Sequence, residues 1–253
     1  SQKYFSRCMF CTDDKHPSDL LEKGHIDYIA REAINKYGVD PIIAVKAACH
    51  HASRYFLLNN RGAIAPGYLA DFAVIDNFKD FNVEMVFKKG ILYWNNGELR
   101  DFEAPKIEEY LDKRAHDTFH VATLTPDDFR DTRQRGVLGM VPGEIITTDN
   151  GYADHVDLEK DILKIAVVER HKGTHHIGLG YIQGYGLRSG AVATSISHDS
   201  HNIIVVGTNS ADMAFAANYI VEHHGGIVVV ENGVVKGSVV LEIAGIMSDC
   251  PLT

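Results

Sequence analysis

The segment Tyr4-Phe-Ser-Arg-Cys-Met-Phe-Cys-Thr-Asp-Asp-Lys-His-Pro17 decides how the beginning of the chain folds. Its residues over 4–12 predict a strand, and the polar residues before Pro17 predict a turn and then a helix. Asp13 and Asp14 follow this strand directly. In parallel α/β sheets and barrels, catalytic groups converge at the carboxyl ends of strands. A carboxylate there can bind a metal and move a proton, whereas the alternative is that both aspartates cap the helix.

The next part of the chain is predicted to be helical. Apolar residues recur at helical spacing over 18–37, and Gly38 is placed to end that helix. Asp40-Pro41 then opens a second helix that is expected to end near Phe56. Residues 1–58 are therefore interpreted as one strand followed by two helices.

Turn residues and short β-rich runs replace the helices after residue 58. Residues 59–105 contain three strand candidates. The first ends at Asp76, and the other two are 83–88 and 91–94, the last of which is followed by an Asn-Asn-Gly turn. Charge rises and apolar content falls over 103–114, which makes this stretch the best candidate for a domain boundary.

Residues 106–253 alternate between β-rich and helical stretches, which is typical of a mixed α/β domain. Strand candidates are 162–170, 191–197, 202–207 and 227–231. A helix separates the last two strands, with Asn209 or Ser210 as its cap and Gly225-Gly226 at its end. Asn232-Gly233 predicts a hairpin turn after it.

Composition limits the classes of partner. The chain has 253 residues and a net charge of -9, which disfavours nucleic acid because binding to phosphates relies on clustered Lys and Arg. No apolar run approaches the ~18–20 residues that span a bilayer, and no export signal is present, so we expect a cytoplasmic protein without membrane contact. Cys8 and Cys11 have the CxxC spacing of zinc or redox sites, and the alternative is that they pack in a buried strand.

Five segments together resemble the metal-dependent amidohydrolases, in the version found in microbial adenine deaminases. Residues 11–17 with 24–27 resemble the last strand unit of the catalytic barrel, and 61–76 resemble the signature of the small β-sandwich that follows it. Residues 175–187, 191–202 and 243–249 resemble the extra carboxyl-terminal domain of the adenine deaminases.

The resemblance implies a fold in three parts. Residues 1–58 would be the last β/α portion of an amidohydrolase (β/α)8 barrel, 59–105 a small β-sandwich segment, and 106–253 a carboxyl-terminal mixed α/β domain. It also implies hydrolysis of adenine to hypoxanthine and ammonia in purine salvage, with a divalent metal, manganese or iron. Asp13 matches the metal-binding and catalytic aspartate of the family, with Asp14 as the fallback.

The family pattern is incomplete in this chain. A (β/α)8 barrel takes about 250 residues, and no His-x-His pair precedes Asp13. We therefore expect a carboxyl-terminal fragment that is inactive alone and whose uncovered apolar faces favour a homo-oligomer.

His198-Asp-Ser-His201-Asn202 is the densest polar cluster in the sequence. In one interpretation, His198, His201 and Asn202 bind the edge of the adenine ring, helped by Gln183 nearby. In the other, the cluster is a hydrogen-bonded turn in which Asp and Ser bind their own backbone.

Two other functions stay open at this point. The β-sandwich signature alone also fits other nucleobase amidohydrolases, and the chain could instead be a non-catalytic module for purine binding or assembly. A barrel with His-x-His upstream of Asp13 would favour the enzyme.

Overall fold

The computed structural model describes residues 2–103 and 105–250, which form two compact units that divide between Pro105 and Lys106. The helices are α1 (Pro17–Lys23), α2 (Ile26–Asn35), α3 (Pro41–Val45), α4 (His51–Tyr55), α5 (Glu109–His116) and α6 (Ser210–Glu222). The strands are β1 (Phe72–Ile75), β2 (Val83–Lys88), β3 (Ile91–Asn95), β4 (Glu98–Leu99), β5 (Arg135–Met140), β6 (Thr147–Ala153), β7 (Ile162–Val168), β8 (Ile177–Gln183), β9 (Ala191–Thr194), β10 (Ile203–Gly207), β11 (Gly226–Glu231) and β12 (Val234–Val240). Within the described ranges, no helix is both long enough and apolar enough to cross a membrane.

The strand predicted over residues 4–12 is wrong. Gln2–Arg7 is a 3₁₀ helix, and the residues from Cys8 to Asp13 have no regular structure. A strand needs a neighbouring strand to satisfy its backbone groups, and here the Phe10 N–H donates to the carbonyl of Ala47 in a helical segment (3.1 Å). Cys8 and Cys11 are both exposed, so their packing in a buried strand is also wrong.

The helix predicted over residues 18–37 is two helices, α1 and α2, because the chain breaks at Gly24. Gly24 has φ +97°, which a residue with a side chain rarely adopts. The carboxylate of Asp27 accepts the N–H of His25 (2.7 Å), and Lys15 Nζ donates to the carbonyl of Gly24 (2.7 Å). These local bonds replace one turn of helix.

The second predicted helix is confirmed, with one irregularity. Asp40 caps α3 by accepting the N–H groups of Ile42 (3.0 Å) and Ile43 (3.1 Å). A π-helical turn, Lys46–His50, then joins α3 to α4.

The strands predicted in residues 59–105 are confirmed as a four-stranded antiparallel sheet in the order β1-β2-β3-β4. Phe72 and Phe87 stack across β1 and β2 with ring centroids 4.6 Å apart. The described residues of this segment supply a single sheet layer, so its place in a β-sandwich stays a prediction.

The second unit is built on an eight-stranded sheet in the order β12-β11-β9-β10-β7-β8-β5-β6. Strands β7, β9 and β10 confirm the predicted strands with slightly shorter bounds, and β11 confirms its strand with one more residue at the start, while β5, β6, β8 and helix α5 were not predicted. β6 is polar and β8 carries Gly178 and Gly180, so neither shows the alternation of a typical half-buried strand. All neighbours are antiparallel except β5 and β8.

Helix α6 covers one face of this sheet and forms the core with it. Small residues make the close approach possible: Ala216 and Ala217 of the helix and Ala191 and Ala193 of β9 are all completely buried. Met213, Ile220, Val205 and Val228 complete the same cluster. The predicted helix, its Asn209 cap and the hairpin at Asn232-Gly233 are confirmed.

Asp212 joins the start of α6 to that hairpin. Its side chain is nearly inaccessible to solvent (3%) and accepts the N–H groups of Asn232 (3.2 Å) and Gly233 (2.8 Å). It also accepts the side-chain amide of Asn209 (2.8 Å). Burial raises the pKa of Asp212, and these hydrogen bonds outweigh that effect and lower it.

Replacing Asp212 should destabilise the second unit strongly. We expect Asp212→Ala to lower the free energy of unfolding by about 3 kcal/mol, because buried donors lose a charged acceptor. Urea unfolding followed by circular dichroism measures this change. The matched control is Asp127→Ala, which removes only an exposed ion pair with Arg130. Equal, small effects of both changes would show that Asp212 does not join the two elements.

Candidate functional site

Asp13, the predicted catalytic and metal-binding residue, lies in the first unit, in the turn that precedes α1. It is exposed and has φ +52°, and its Oδ1 accepts the N–H of Asp14 (2.9 Å). The N-cap residue of α1 is His16, which makes no side-chain capping bond. Capping of the helix by Asp13, the structural alternative, is therefore wrong. Within the described part of the chain, no hydrogen bond engages the second carboxylate oxygen of Asp13.

The neighbourhood of Asp13 fits one ligand of a metal site. An exposed carboxylate is a suitable ligand for a hard divalent cation, and Thr12 Oγ1 lies 3.4 Å from His25 Nε2 beside it. Among the described residues, however, no three His, Cys, Asp or Glu side chains lie close enough together to hold a metal ion. Within the described ranges Asp13 thus has no companions that would complete a metal site, and its role as a ligand stays a prediction.

The predicted substrate cluster forms a tight loop between β9 and β10 in the second unit, residues 197–202, which we call the histidine loop. The His201 N–H donates to the carbonyl of Ser197 (2.5 Å), and the Ser197 N–H donates to His201 Nδ1 (3.3 Å). His201 has φ +50° and its ring lies 4.8 Å from the ring of His198. A hydrogen-bonded turn is therefore present, in which Ser200 Oγ accepts the Asn202 N–H (3.4 Å) as predicted for Ser, while the bonds between His201 and Ser197 close the loop. The role at a substrate stays a prediction.

The bond from Ser197 fixes the tautomer of His201. Because Nδ1 accepts a hydrogen bond, the proton of the neutral ring is on Nε2. His198 is exposed and His201 is partly exposed. Asn202 differs, since its Oδ1 is buried and has no hydrogen-bond partner in the described part of the chain. A ligand can reach that oxygen only if the loop moves.

Two adjacent residues that follow β7 donate hydrogen bonds to backbone carbonyl groups of the loop. Arg170 Nε donates to the carbonyl of His201 (2.5 Å), and His171 Nε2 donates to the carbonyl of Ser200 (2.8 Å). The next residue back, Glu169, accepts N–H groups from His171 (2.6 Å) and Lys172 (2.9 Å). Residues 169–171 therefore form a support for the histidine loop.

Gln183 lies away from the loop that contains His198, His201 and Asn202. It pairs with Ile162 at the start of β7, whereas Ile203, which follows the loop, pairs with Val168 at the end of β7. The length of β7, about 20 Å at ~3.3 Å per residue, separates the two positions. Gln183 Oε1 accepts a hydrogen bond from Asn150 Nδ2 (2.7 Å), and Gln183 Nε2 donates to the carbonyl of Lys160 (2.9 Å). The structure does not bring Gln183 together with the loop.

Each of the two units contains a segment that matches the model of a known protein family or domain. Residues 3–92 match the model of the amidohydrolase family, and residues 143–253 match the model of the adenine deaminase C-terminal domain. The chain joins an amidohydrolase-family segment to an adenine deaminase C-terminal domain. The mixed α/β fold with this order of segments is thereby confirmed.

Curated relatives named adenine deaminase agree with the two matches. The adenine deaminase of Kosmotoga olearia is 40% identical over 98% of this chain and 44% of its own length. Those of Petrotoga mobilis (41% identical, 96% of this chain, 44% of its own length) and Dehalococcoides mccartyi (38%, 100% and 45%) are similar. The chain thus spans less than half the length of these relatives.

Sequence reasoning missed the residues that support the loop. In the sequence, Arg170 is the last residue of the predicted strand 162–170. A charged run such as Arg-His-Lys at the end of a strand is usually exposed to solvent. In the structure Arg170 is 2% exposed. Its partners lie 31 to 74 residues away in the sequence, so no local signal could have revealed them.

Glu169 should make stability depend on pH. Burial raises its pKa, but hydrogen bonds from Thr174 and from the backbone N–H groups of His171, Thr174 and Lys172 outweigh this and bring it to about 2, below the ordinary 4.5. The charged form therefore stabilises the fold above pH 4.5, and this stabilisation is lost as the pH falls towards 2. We expect Glu169→Gln to lower the urea midpoint at pH 7 and to matter much less near pH 3.

The exposed Glu159→Gln is the matched control, which we expect to leave the midpoint close to that of the unchanged protein at both pH values. A pH-independent loss of stability in Glu169→Gln would contradict the assignment, because it would not come from the charge.

Proposed function

We propose that the complete protein hydrolyses adenine to hypoxanthine and ammonia. One observation carries the proposal: an amidohydrolase-family segment is followed, in one chain, by an adenine deaminase C-terminal domain. Relatives of about 40% identity that are named adenine deaminase cover 98% of the chain. The hydrolysis replaces the exocyclic amine of the purine with the oxygen of water.

Asp13 is the proposed proton carrier of this reaction. It takes a proton from the attacking water and delivers it to the ring nitrogen or to the leaving amine, as a general base and then a general acid. Its exposure and its uncommitted carboxylate oxygen support this role. The turn that carries Asp13 is fixed locally, because Lys15 N–H also donates to the Asp13 carbonyl (2.8 Å).

Asp13 is also the proposed ligand that this chain supplies to a divalent metal, manganese or iron. When bound, such an ion lowers the pKa of a water ligand towards neutrality. A single carboxylate cannot hold the ion in place for catalysis, and the described residues provide no further set of ligands. We therefore propose that residues outside this chain complete the site and that the chain alone is inactive.

The histidine loop is the proposed contact with the purine. His201 presents an Nε2–H donor, and adenine has ring nitrogens that accept hydrogen bonds. The exposed ring of His198 beside it offers a second polar group on the same surface. We assign His198, His201 and Asn202 to substrate binding and leave Gln183 out, since it lies at the other end of β7.

We propose that the reaction belongs to purine salvage in the cytoplasm, the setting that the resemblance to the adenine deaminases implies. Large apolar side chains such as Leu57 (77% exposed) and Ile64 (91%) lie uncovered, which supports a homo-oligomer.

The 253-residue chain should not deaminate adenine. We expect no ammonia or hypoxanthine above background when the purified chain is loaded with Mn²⁺ or Fe²⁺, because its ligand set is incomplete. The full-length adenine deaminase of Kosmotoga olearia, assayed in parallel, is the positive control. Turnover by the chain alone would contradict the proposed division of the active site.

Asp13→Asn should abolish turnover in a chimaera that joins the part of the Kosmotoga olearia protein without a counterpart here to Ser1 of this chain. We expect a loss of at least about 100-fold in kcat, the size typical for removal of a general base. Asp19→Asn, which disturbs only the exposed pair with Lys23, is the control. Undiminished activity of Asp13→Asn would refute the assignment, and Asp14→Asn then tests the fallback.

A further inference from the structure

Arg170 is a buried cation without an acidic partner among the residues that the structure describes. Its side chain is 2% exposed, and no carboxylate in the described part of the chain pairs with it. A buried charge is normally matched by an opposite charge. Burial accordingly lowers the pKa of Arg170 below the usual value of a guanidinium. The side chain therefore needs another reason to be there than an ion pair.

Neutral groups from three distant parts of the chain surround the guanidinium. Nε donates to the carbonyl of His201 (2.5 Å), and Nη2 donates to the carbonyl of Ala244 (2.8 Å). Nη1 donates to the carbonyl (2.8 Å) and hydroxyl (3.1 Å) of Thr118. The ring of Phe119 lies over the guanidinium at 4.2 Å. Each of the three guanidinium nitrogens thus donates a hydrogen bond to a different segment of the chain.

The segment around Ala244 is a tight turn, which we call the carboxyl-terminal turn, residues 243–247. The Met247 N–H donates to the carbonyl of Ile243 (3.1 Å), and Gly245 has φ +76°. A Cβ atom on Gly245 would lie 2.9 Å from the ring of Phe119 and 3.0 Å from Arg170 Nη2. The turn and the guanidinium are therefore in direct contact, with no room between them.

On the other side of the guanidinium, Nε binds the histidine loop at His201. The carbonyl that Arg170 binds belongs to His201, the residue with the left-handed backbone and the ring fixed by Ser197. Any shift of the guanidinium must move this peptide group or break the bond. A lysine cannot reproduce the arrangement, because a single ammonium lacks the planar fork that reaches three segments.

We propose that Arg170 is a positioning residue that couples the carboxyl-terminal turn to the histidine loop, so that the two move as one unit. The inference rests on the proposed function only for its consequence, which is that this coupling sets the position of His201 at adenine. The coupling itself rests on the hydrogen bonds of the guanidinium and on the contact at Gly245.

Hydrogen exchange on the 253-residue chain tests the coupling directly. We expect Arg170→Lys to accelerate amide exchange at least about tenfold in residues 197–202 and in the carboxyl-terminal turn, with α6 unchanged, since local opening requires few contacts to be lost. Arg188→Lys is the control, because Arg188 is exposed and, among the described residues, donates its one side-chain hydrogen bond to the carbonyl of Leu158. Unchanged exchange in the two segments would overturn the proposal.

Two further variants separate coupling from general destabilisation. Gly245→Ala leaves Arg170 in place but crowds it from the turn, and we expect faster exchange in the histidine loop. Ile220→Val weakens the core of α6 and should accelerate exchange without preference for either segment. If Gly245→Ala affects only its own turn, or if Arg170→Lys exchanges in the pattern of Ile220→Val, the coupling is refuted. The Gly245→Ala result decides the matter even if Arg170→Lys does not fold.

Kinetics in the chimaera test the consequence. We expect Arg170→Lys to raise the KM for adenine about 10-fold to 100-fold, as displacement of a binding group does, with a smaller change in kcat. His201→Ala should raise KM similarly. If His201→Ala leaves KM unchanged while Arg170→Lys still accelerates exchange in both segments, the proposed role at adenine fails and the coupling stands.

Discussion

The packing of α6 against the central strands is the constraint on which the second unit depends. Ala216 and Ala217 of the helix face Ala191 and Ala193 of β9, and side chains this small let the backbones approach closely. The order of strands beneath the helix brings β9 and β10 side by side. The histidine loop joins these two strands, so its place at the end of two central strands follows from the core.

The loop is then fixed by polar contacts rather than by packing. Arg170 and His171 bond two successive carbonyl groups of the loop, and Ser197 fixes the ring of His201 from the other side. The proposed contact with a small flat molecule would benefit from such support, because a side chain held in one rotamer loses little entropy when a ligand arrives. The burial of Arg170, with no carboxylate in the described ranges to pair with it, is the energetic cost of this support.

The first unit presents a different situation, because its chemical group is exposed and incomplete. Asp13 is placed by a local turn and not by a barrel strand, and the described residues supply no second set of metal ligands. The chain spans about 44% of the length of its adenine deaminase relatives. The division of labour that we propose follows from these facts: one carboxylate and a substrate loop in this chain, and the remaining ligands outside it.

The sequence by itself determined the elements whose signals are local. Asp40 before Pro41, Asn209 before α6 and Asn232-Gly233 between β11 and β12 each identify a helix start or a turn, and the structure has each of them. The motifs at 11–17 and 175–202 also indicated the family. Tertiary structure alone decided three things. Residues 4–12 lack a partner strand and are not a strand; β7 separates Gln183 from His201; and Arg170 is buried beneath the loop. In each case the deciding contacts join residues far apart in the chain, and no local pattern records a contact of that kind.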